Sequence, residues 1–345
     1  MTPTPTKRTA QKVAIVGAST LLGKELIQLV EDRNFPADDV VLLDDPSVAG
    51  TVTEAAGAAT FIHPLEHDSF ENVRFAFFAA SAAVTKKHYE AAVNEGATVI
   101  DLSGGLPSHA APFVWIPALD AVLPPPPADA KTNGKQVYSS PGPAVIVAAT
   151  IVAGLKKFSP TRLALLLFPP VSEAGAAGVT ELEGQTTDLL SFRTVEKKIF
   201  DAQVAFNLLP SYGEAREPSL VDTRNRIREQ LTNYFAGRAN LPAIQLVQAS
   251  VFYGYAFSLY AEFGAAPTAD ELEKSLAVLG ARVRGADEPP PDNVSAAGLN
   301  EIQFDRLQRD SDASQGYWLW GVADNLRLPV SNAVRIAEEL LAVPA

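Results

Sequence analysis

Few side chains in this chain are able to do covalent or acid–base chemistry, and the missing ones constrain it as firmly as those present. Its 345 residues include no cysteine. That removes thiolate nucleophiles, disulfides, Cys-ligated zinc and iron–sulfur clusters together. The four histidines, His63, His67, His88 and His109, all lie in the first half. His63 and His67 are spaced i, i+4, but Pro64 between them argues against a helical metal face, and no metal site is expected. Ser139 and Ser140 precede the turn Pro141-Gly142-Pro143. No histidine sits in a motif that would activate them, so capping or turn hydrogen bonds are expected instead. Tyr253 and Tyr255 flank Gly254. Core or interface packing is the reading tyrosine favours, and proton donation is the sharper alternative.

A second constellation is built for binding. Residues 12–16 form a short apolar strand pattern, followed by Gly17-Ala18-Ser19-Thr20-Leu21-Leu22-Gly23 and a helical pattern through Val30. Strand, glycine turn and helix in that order is the context of a dinucleotide-binding loop. Gly17 permits the tight turn and Gly23 a close helix–sheet approach. Thr20 replaces the middle glycine, so close passage of a pyrophosphate is less assured, and a purely structural turn is an equal alternative. The next strand, residues 40–43, ends in Asp44-Asp45, about 20 residues beyond the loop. An acid there binds ribose hydroxyls and repels a 2′-phosphate, which favours NAD over NADP. A solvated strand-end turn is the other reading of Asp44. Ser81 follows a third strand, residues 75–80, in a turn of small residues.

These groups need a frame. After the helix at 85–94 and the strand at 98–102, a loop-rich stretch at 103–134 contains a polyproline step at 124–127 and a turn at 131–135. Strands alternating with helices predict an α/β, doubly wound parallel sheet. The strand signal at 136–139 then meets the Pro-Gly-Pro turn and a long apolar run, with Pro143 suited to the first turn of a buried helix. A second half follows: a strand at 162–168, helices at 177–199 and 219–235, and strands at 243–250 and 255–263 that read as antiparallel and aromatic. A helix at 268–279, a strand at 317–322 and a closing helix at 329–341 complete it. The net charge of −12, with no Lys/Arg-rich block, makes nucleic acid and anionic membranes poor partners. No apolar run reaches the roughly 18 residues of a membrane span. The polar start, MTPTPTKRTAQK, is unlike a signal peptide. A cytoplasmic protein is expected.

The motifs in sequence resemble the aspartate-semialdehyde dehydrogenase family over nearly the whole chain. They are residues 13–23, Val171-Ser172-x-Ala174-Gly175 with Glu181-Leu182, Phe206-Asn207-x-x-Pro210 and Val251-x-x-Gly254. The most specific is Ala323-Asp324-Asn325-Leu326-Arg327 with Asn332-Ala333 and Ile336-Ala337-Glu338. Residues 203–210 and 250–255 look closest to the Usg-type paralogues. The resemblance implies a Rossmann-like NAD(P)-binding domain, residues 1–140 plus 327–345, and an α+β dimerisation domain, residues 141–326. It implies a homodimer, a dinucleotide held by Gly17 to Gly23, Asp44, Ser81, Ser172 and Asn325, and an amino-acid-biosynthesis setting.

The family reduces an acyl phosphate to an aldehyde through a thioester, using a cysteine, a histidine and cationic groups for the substrate. The resemblance places Pro143 at the thiol position. Pro169 takes the place of the glutamine before Val-Ser-Gly, Tyr255 that of the histidine and Gln248 that of the arginine seven residues earlier. Residues 104–117 hold no arginine or lysine, and the Glu and Lys of a later helix fall near Asp222 and Asn225. With no catalytic group intact, the expectation is a family member without the parent activity and with an unknown small-molecule ligand. The alternative is an NAD-dependent oxidoreductase of non-thiol chemistry on a carbonyl substrate.

Overall fold

The computed structural model describes residues 11–55, 58–124, 136–265, 267–311 and 315–342. Most of the polyproline step and the turn at 131–135 lie outside them. The chain divides into two compact units: residues 1–117, 125–141 and 329–345, and residues 118–124 with 142–328.

The first unit opens with β1 (Lys12–Val16), α1 (Leu21–Asp32) and β2 (Asp39–Asp44). A hairpin of β3 (Val52–Ala55) and β4 (Ala58–Phe61) follows, then β5 (His63–Pro64), β6 (Val73–Phe78) and α2 (Ala82–Asn94). β7 (Thr98–Asp101), β8 (Phe113–Val114) and β9 (Val137–Ser139) complete the sheet. Its order is β5-β2-β1-β6-β7-β9-β8, parallel throughout. The pleat sends Val13, Ile15, Phe75 and Phe77 into one core with Leu26 and Leu29 of α1 and with Val330 and Val334 near the C-terminus. Ala14, Val16 and Phe78 enter a second core with Tyr89 and Ala92 of α2. Helices on both faces explain why these strands read as continuous apolar runs. Strand order reverses around β1, so the glycine loop lies at a topological switch point, where open α/β sheets bind ligands.

The second unit opens with α3 (Pro143–Leu155), buried along its whole length. Its Val, Ile and Thr residues are poor helix formers, at roughly 0.5 kcal/mol each. Burying a Val or Ile side chain contributes about 1.5–3 kcal/mol, so packing overrides propensity. Next come β10 (Pro160–Phe168), α4 (Gly175–Leu190), α5 (Leu220–Phe235), β11 (Ala243–Leu246), β12 (Tyr255–Phe263) and α6 (Ala269–Ala277). The unit ends with β13 (Arg282–Val283), β14 (Gln303–Phe304), β15 (Gln308–Arg309), β16 (Gly316–Ala323) and the start of α7 (Arg327–Ala342). The sheet order is β11-β10-β12-β16-β14-β13, with β15 pairing β16.

β11 and β12 run antiparallel, as expected, with β10 between them, parallel to β11 and antiparallel to β12. Two expectations are corrected. The strand expected over 243–250 stops at Leu246, after which Gln248 bridges to Leu209. The helix expected over 177–199 ends at Leu190, and Phe192 takes a left-handed φ of 57°. Beyond it the chain folds back onto the helix's own face. Glu181 accepts from the amides of Ile199 and Phe200, while Gln185 bonds the backbone of Glu196, Ala202, Val204 and Ala205.

Candidate functional site

In the first unit the glycine loop has the backbone its residue types require. Gly17 has φ +87°, and a Cβ there would lie 2.6 Å from the Ala80 backbone. A Cβ on Gly23 would lie 2.0 Å from the Gly17 carbonyl oxygen. Both positions therefore demand glycine. Ala18 is buried and Ser19, Leu21 and Leu22 are half-buried. Thr20 caps α1, its Oγ1 accepting from the Gly23 amide at 2.9 Å. The same oxygen lies 2.8 Å from the Gly17 carbonyl and 3.0 Å from that of Ala79, so its one proton ties the loop to the end of β6. The substitution that departs from the usual glycine pattern therefore reinforces the loop.

Asp44 reaches the same loop. One carboxylate oxygen accepts from the Ser19 amide at 2.8 Å and the other from the Asp45 amide at 2.8 Å. Asp45 turns away, held below the usual carboxylate range by the backbone and side chain of Ser47. Ser81 is the exposed N-cap of α2, accepting from the Val84 amide at 3.4 Å. That cap starts the helix three residues earlier than its apolar pattern indicates. A cradle that any Cβ would fill, at the switch point of a parallel sheet, fits a dinucleotide pyrophosphate.

Ser140 is tied into the fold of the first unit. Its hydroxyl donates to the Pro329 carbonyl at 2.8 Å and accepts from the Asn332 amide at 2.9 Å. Asn332 also donates to the Trp115 carbonyl at 2.9 Å. The hydroxyl is consumed in bracketing the closing helix. Among the described residues no cluster of three or more His, Asp or Glu side chains is arranged to hold a metal. His63 lies in the short strand β5, so His63 and His67 share no helix face.

The second unit gathers a different set. Pro143 is the buried first residue of α3 and offers no reactive atom. Gln248, 1% exposed, accepts from the Tyr212 hydroxyl at 2.7 Å and donates to the carbonyls of Pro169 and Ala249 at 2.9 Å each. Both amide protons are used, so Gln248 is a neutral internal clamp. Asp222 forms the capping box of α5 with Ser219, which holds it below its ordinary pKa, and so serves the helix end.

Asn325, 1% exposed, joins three segments. Its Oδ1 accepts from the Gly254 amide at 3.0 Å, and its Nδ2 donates to Ser172 Oγ at 3.1 Å and Glu173 Oε1 at 3.0 Å. Gly254 has φ +85°, and a Cβ there would press on Asn293, whose Nδ2 donates to the Gly254 carbonyl at 2.7 Å. Tyr253 is 40% exposed and points to no polar partner among the described residues, whereas Tyr255 is 1% exposed.

Glu173 escaped the sequence reading. It stands at the third position of the motif whose family pattern is Val-Ser-Gly, and a charged residue in place of that glycine was the available signal. The Glu173 side chain is exposed as a whole, and its carboxyl end rests on the buried Asn325 amide at 3.0 Å. Burial of its carboxyl raises it from 4.5 to about 7, against a smaller opposing effect of the Asn325 hydrogen bond. Two phenols lie within electrostatic reach. Tyr255 is pushed well above its ordinary value by burial, then by Glu173 and Tyr212. Tyr212 is raised by burial to about 12, with Arg216 opposing and Glu173 adding.

A parallel-sheet unit with a switch-point glycine cradle, followed by a mixed-sheet unit, defines a two-part α/β protein with a Rossmann-like first unit. Residues 12–128 match the semialdehyde dehydrogenase NAD-binding domain and residues 156–328 the semialdehyde dehydrogenase dimerisation domain. The chain belongs to the semialdehyde dehydrogenase family. It is 30% identical over 336 residues to the USG-1 protein homolog of Azotobacter vinelandii, covering 95% of this chain and 97% of that protein. A solved structure of a probable aspartate-semialdehyde dehydrogenase from Pseudomonas aeruginosa is 29% identical with a TM-score of 0.84, covering 97% and 99% of the two chains. Aspartate semialdehyde dehydrogenase II of Vibrio cholerae, solved in complex with ASA, is 25% identical with a TM-score of 0.85, over 97% and 99%. Among the described residues no helix is long and apolar enough to cross a membrane.

Proposed function

We propose that this protein is a cytoplasmic, homodimeric family member that retains a dinucleotide site and has lost the thioester reaction of the parent enzymes. The observation that carries the reading is the seam itself. By the resemblance, the turn at residues 141–143 presents Pro143 where the mechanism needs a thiol, in a chain with no cysteine. Removing a covalent nucleophile costs several orders of magnitude in rate, and partner groups cannot restore it. Support also comes from Gln248, which has no charge to offer a substrate carboxylate and no spare amide proton.

The dinucleotide would be held by the amides of residues 17–23, with Asp44 and Ser81 as further contacts. The Asp44 carboxylate beside the loop favours NAD over NADP. When bound, a nicotinamide supplies or accepts hydride, and the residues of this chain orient it and hold protons nearby. The proposed domain boundaries are residues 1–140 with 327–345, and 141–326. Assay of purified protein with aspartyl phosphate or aspartate semialdehyde, alongside thermal shift with NAD and NADP, tests the reading. No turnover and a stabilisation larger with NAD support it.

A second reading is an oxidoreductase of non-thiol chemistry on a carbonyl substrate. It is favoured by the Tyr255 hydroxyl, which has no hydrogen-bond partner among the described residues although the side chain is 1% exposed. Steady carbonyl turnover abolished by Tyr255→Phe would select it.

A further inference from the structure

The sheet of the second unit has two faces with unequal cover, and register fixes which side chains share each face. On one face Leu165 of β10, Leu259 of β12 and Leu319 of β16 lie in a row. All three are at most 2% exposed, with α3 packed against β10. On the other face the rows are Ala164, Tyr260 and Trp318, then Leu166, Ser258 and Trp320. Trp318 is 45% exposed, Ala164 is exposed and the other four are half-buried. β11 extends the first of these rows with Ala243, also exposed. One end of the face is closed, where Ala256 and Val322 are buried with Ala296 and the Trp320 indole donates to the Pro291 carbonyl at 2.8 Å. The row through Trp318 stays open to solvent.

A sheet with one solvated face ordinarily carries polar side chains on it. This one carries an indole, a phenol and small apolar groups. The Tyr260 and Trp318 ring centroids are 5.0 Å apart, and the Trp318 indole is fixed by donating to Asp310 at 3.0 Å. The aromatic pair is therefore ordered in advance, which lowers the entropy cost of docking. The other exposed apolar side chains, such as Phe192 and Val294, come singly from turns.

Charge and size narrow the occupant. The chain carries a net charge of −12, so most of its surface repels a second copy. The open face is nearly neutral: Arg162 and Glu262, in the row beyond Ala164 and Tyr260, pair with each other at 3.5 Å, and Asp310 is engaged by the indole. An aromatic centre with a charged rim is the anatomy of a protein interface. Four strands about 4.8 Å apart and about six residues at roughly 3.3 Å each give roughly 400 Å² of flat face. That is about half of the roughly 800 Å² each partner of a stable dimer buries, and the rim supplies the rest. All four strands lie within residues 156–328, which match a dimerisation domain.

We infer that a second copy of the chain docks face to face on this open side of the sheet, with Trp318 and Tyr260 as the central anchors. A two-fold axis through the face brings the same patch of both copies together. The inference rests on the homodimer reading and adds the surface.

Sedimentation equilibrium of the full-length protein tests it. Wild type should be a dimer at 10 μM. Trp318→Asp and Ala164→Arg should each weaken dimerisation by about 30-fold or more, the effect of losing an interface anchor. Phe192→Asp should leave it unchanged. Thermal unfolding establishes that the variants are folded. A second readout needs no variant: of the three tryptophans, Trp318 is the exposed one, so acrylamide quenching of wild type should fall as concentration rises through the dimerisation midpoint. A dimer untouched by both face variants overturns the surface and leaves the homodimer reading standing. Dissociation by Phe192→Asp, or quenching that stays constant while the dimer forms, overturns the surface too. A wild-type monomer at 100 μM refutes the homodimer reading itself.

Discussion

The glycine loop of the first unit and the Gln248 cluster of the second are built on different constraints, and on the proposed reading they have diverged in opposite ways. At the glycine loop, every residue with a steric duty has kept it. Gly17 and Gly23 occupy positions where a Cβ would strike backbone, and Thr20 and Asp44 brace the loop from both sides. On the proposed reading, the Gln248 cluster holds neutral groups where the parent reaction would need charge. Gln248 binds Tyr212 and two carbonyls, and Pro143 opens a buried helix. Steric constraints on a glycine loop would outlast a change of chemistry, because the fold itself depends on them, whereas a buried charge is costly to keep without a use.

The largest expected break in this contrast is Gly23→Val. Its Cβ would overlap the Gly17 carbonyl at 2.0 Å, so the variant should lose about 3 kcal/mol or more and all dinucleotide-induced stabilisation. Chemical denaturation and thermal shift check both. Next, Asn325→Leu leaves the buried Gly254 amide without its acceptor and should cost about 2–3 kcal/mol in chemical denaturation. For the intact protein, NAD at 100 times its Kd should add about 2.7 kcal/mol of apparent stability by mass action, and NADP at the same concentration less. Equal shifts would remove Asp44 from the argument. Thr20→Val deletes the cap on Gly23 and should cost about 1 kcal/mol.

The smallest effect separates the two ends by pH. The folded carboxyl of Glu173 titrates near 7 and the unfolded one near 4.5. Between those values the folded state binds more protons, so this residue lowers stability as pH rises, with the full deficit present above 7. Glu173→Gln should match wild type in melting temperature near pH 4.5 and exceed it by about 2 °C at pH 8. The solvent access of Glu173 keeps the difference small. A variant that melts lower at pH 8 would contradict the burial argument.

What the sequence disclosed was local. The strand, glycine turn and helix over 12–32, the helix opening at Pro143 and the Thr268 cap of α6 depend on neighbours in the chain, and each was legible. The order β11-β10-β12 was not, because β11 and β12 follow one another in sequence while both pair with a strand some 80 residues earlier. The end of α4 was hidden for a similar reason. Its apolar periodicity continues past Leu190, but Glu181 and Gln185 recruit residues 196–205 to the helix's own face. Glu173 was the costliest omission. Its partners Tyr212, Tyr255 and Asn325 lie about 40 to 150 residues away, so nothing adjacent marks it as more than a surface acid.

The measurement that bears most directly on this account is steady-state assay of purified protein, free of host dehydrogenase, with aspartyl phosphate and NADPH and with NADH. The account predicts no turnover above the buffer blank with either cofactor. Sustained reduction at an ordinary enzymatic rate of about 1 per second or faster would contradict it, since no group in the chain could then be carrying the thioester.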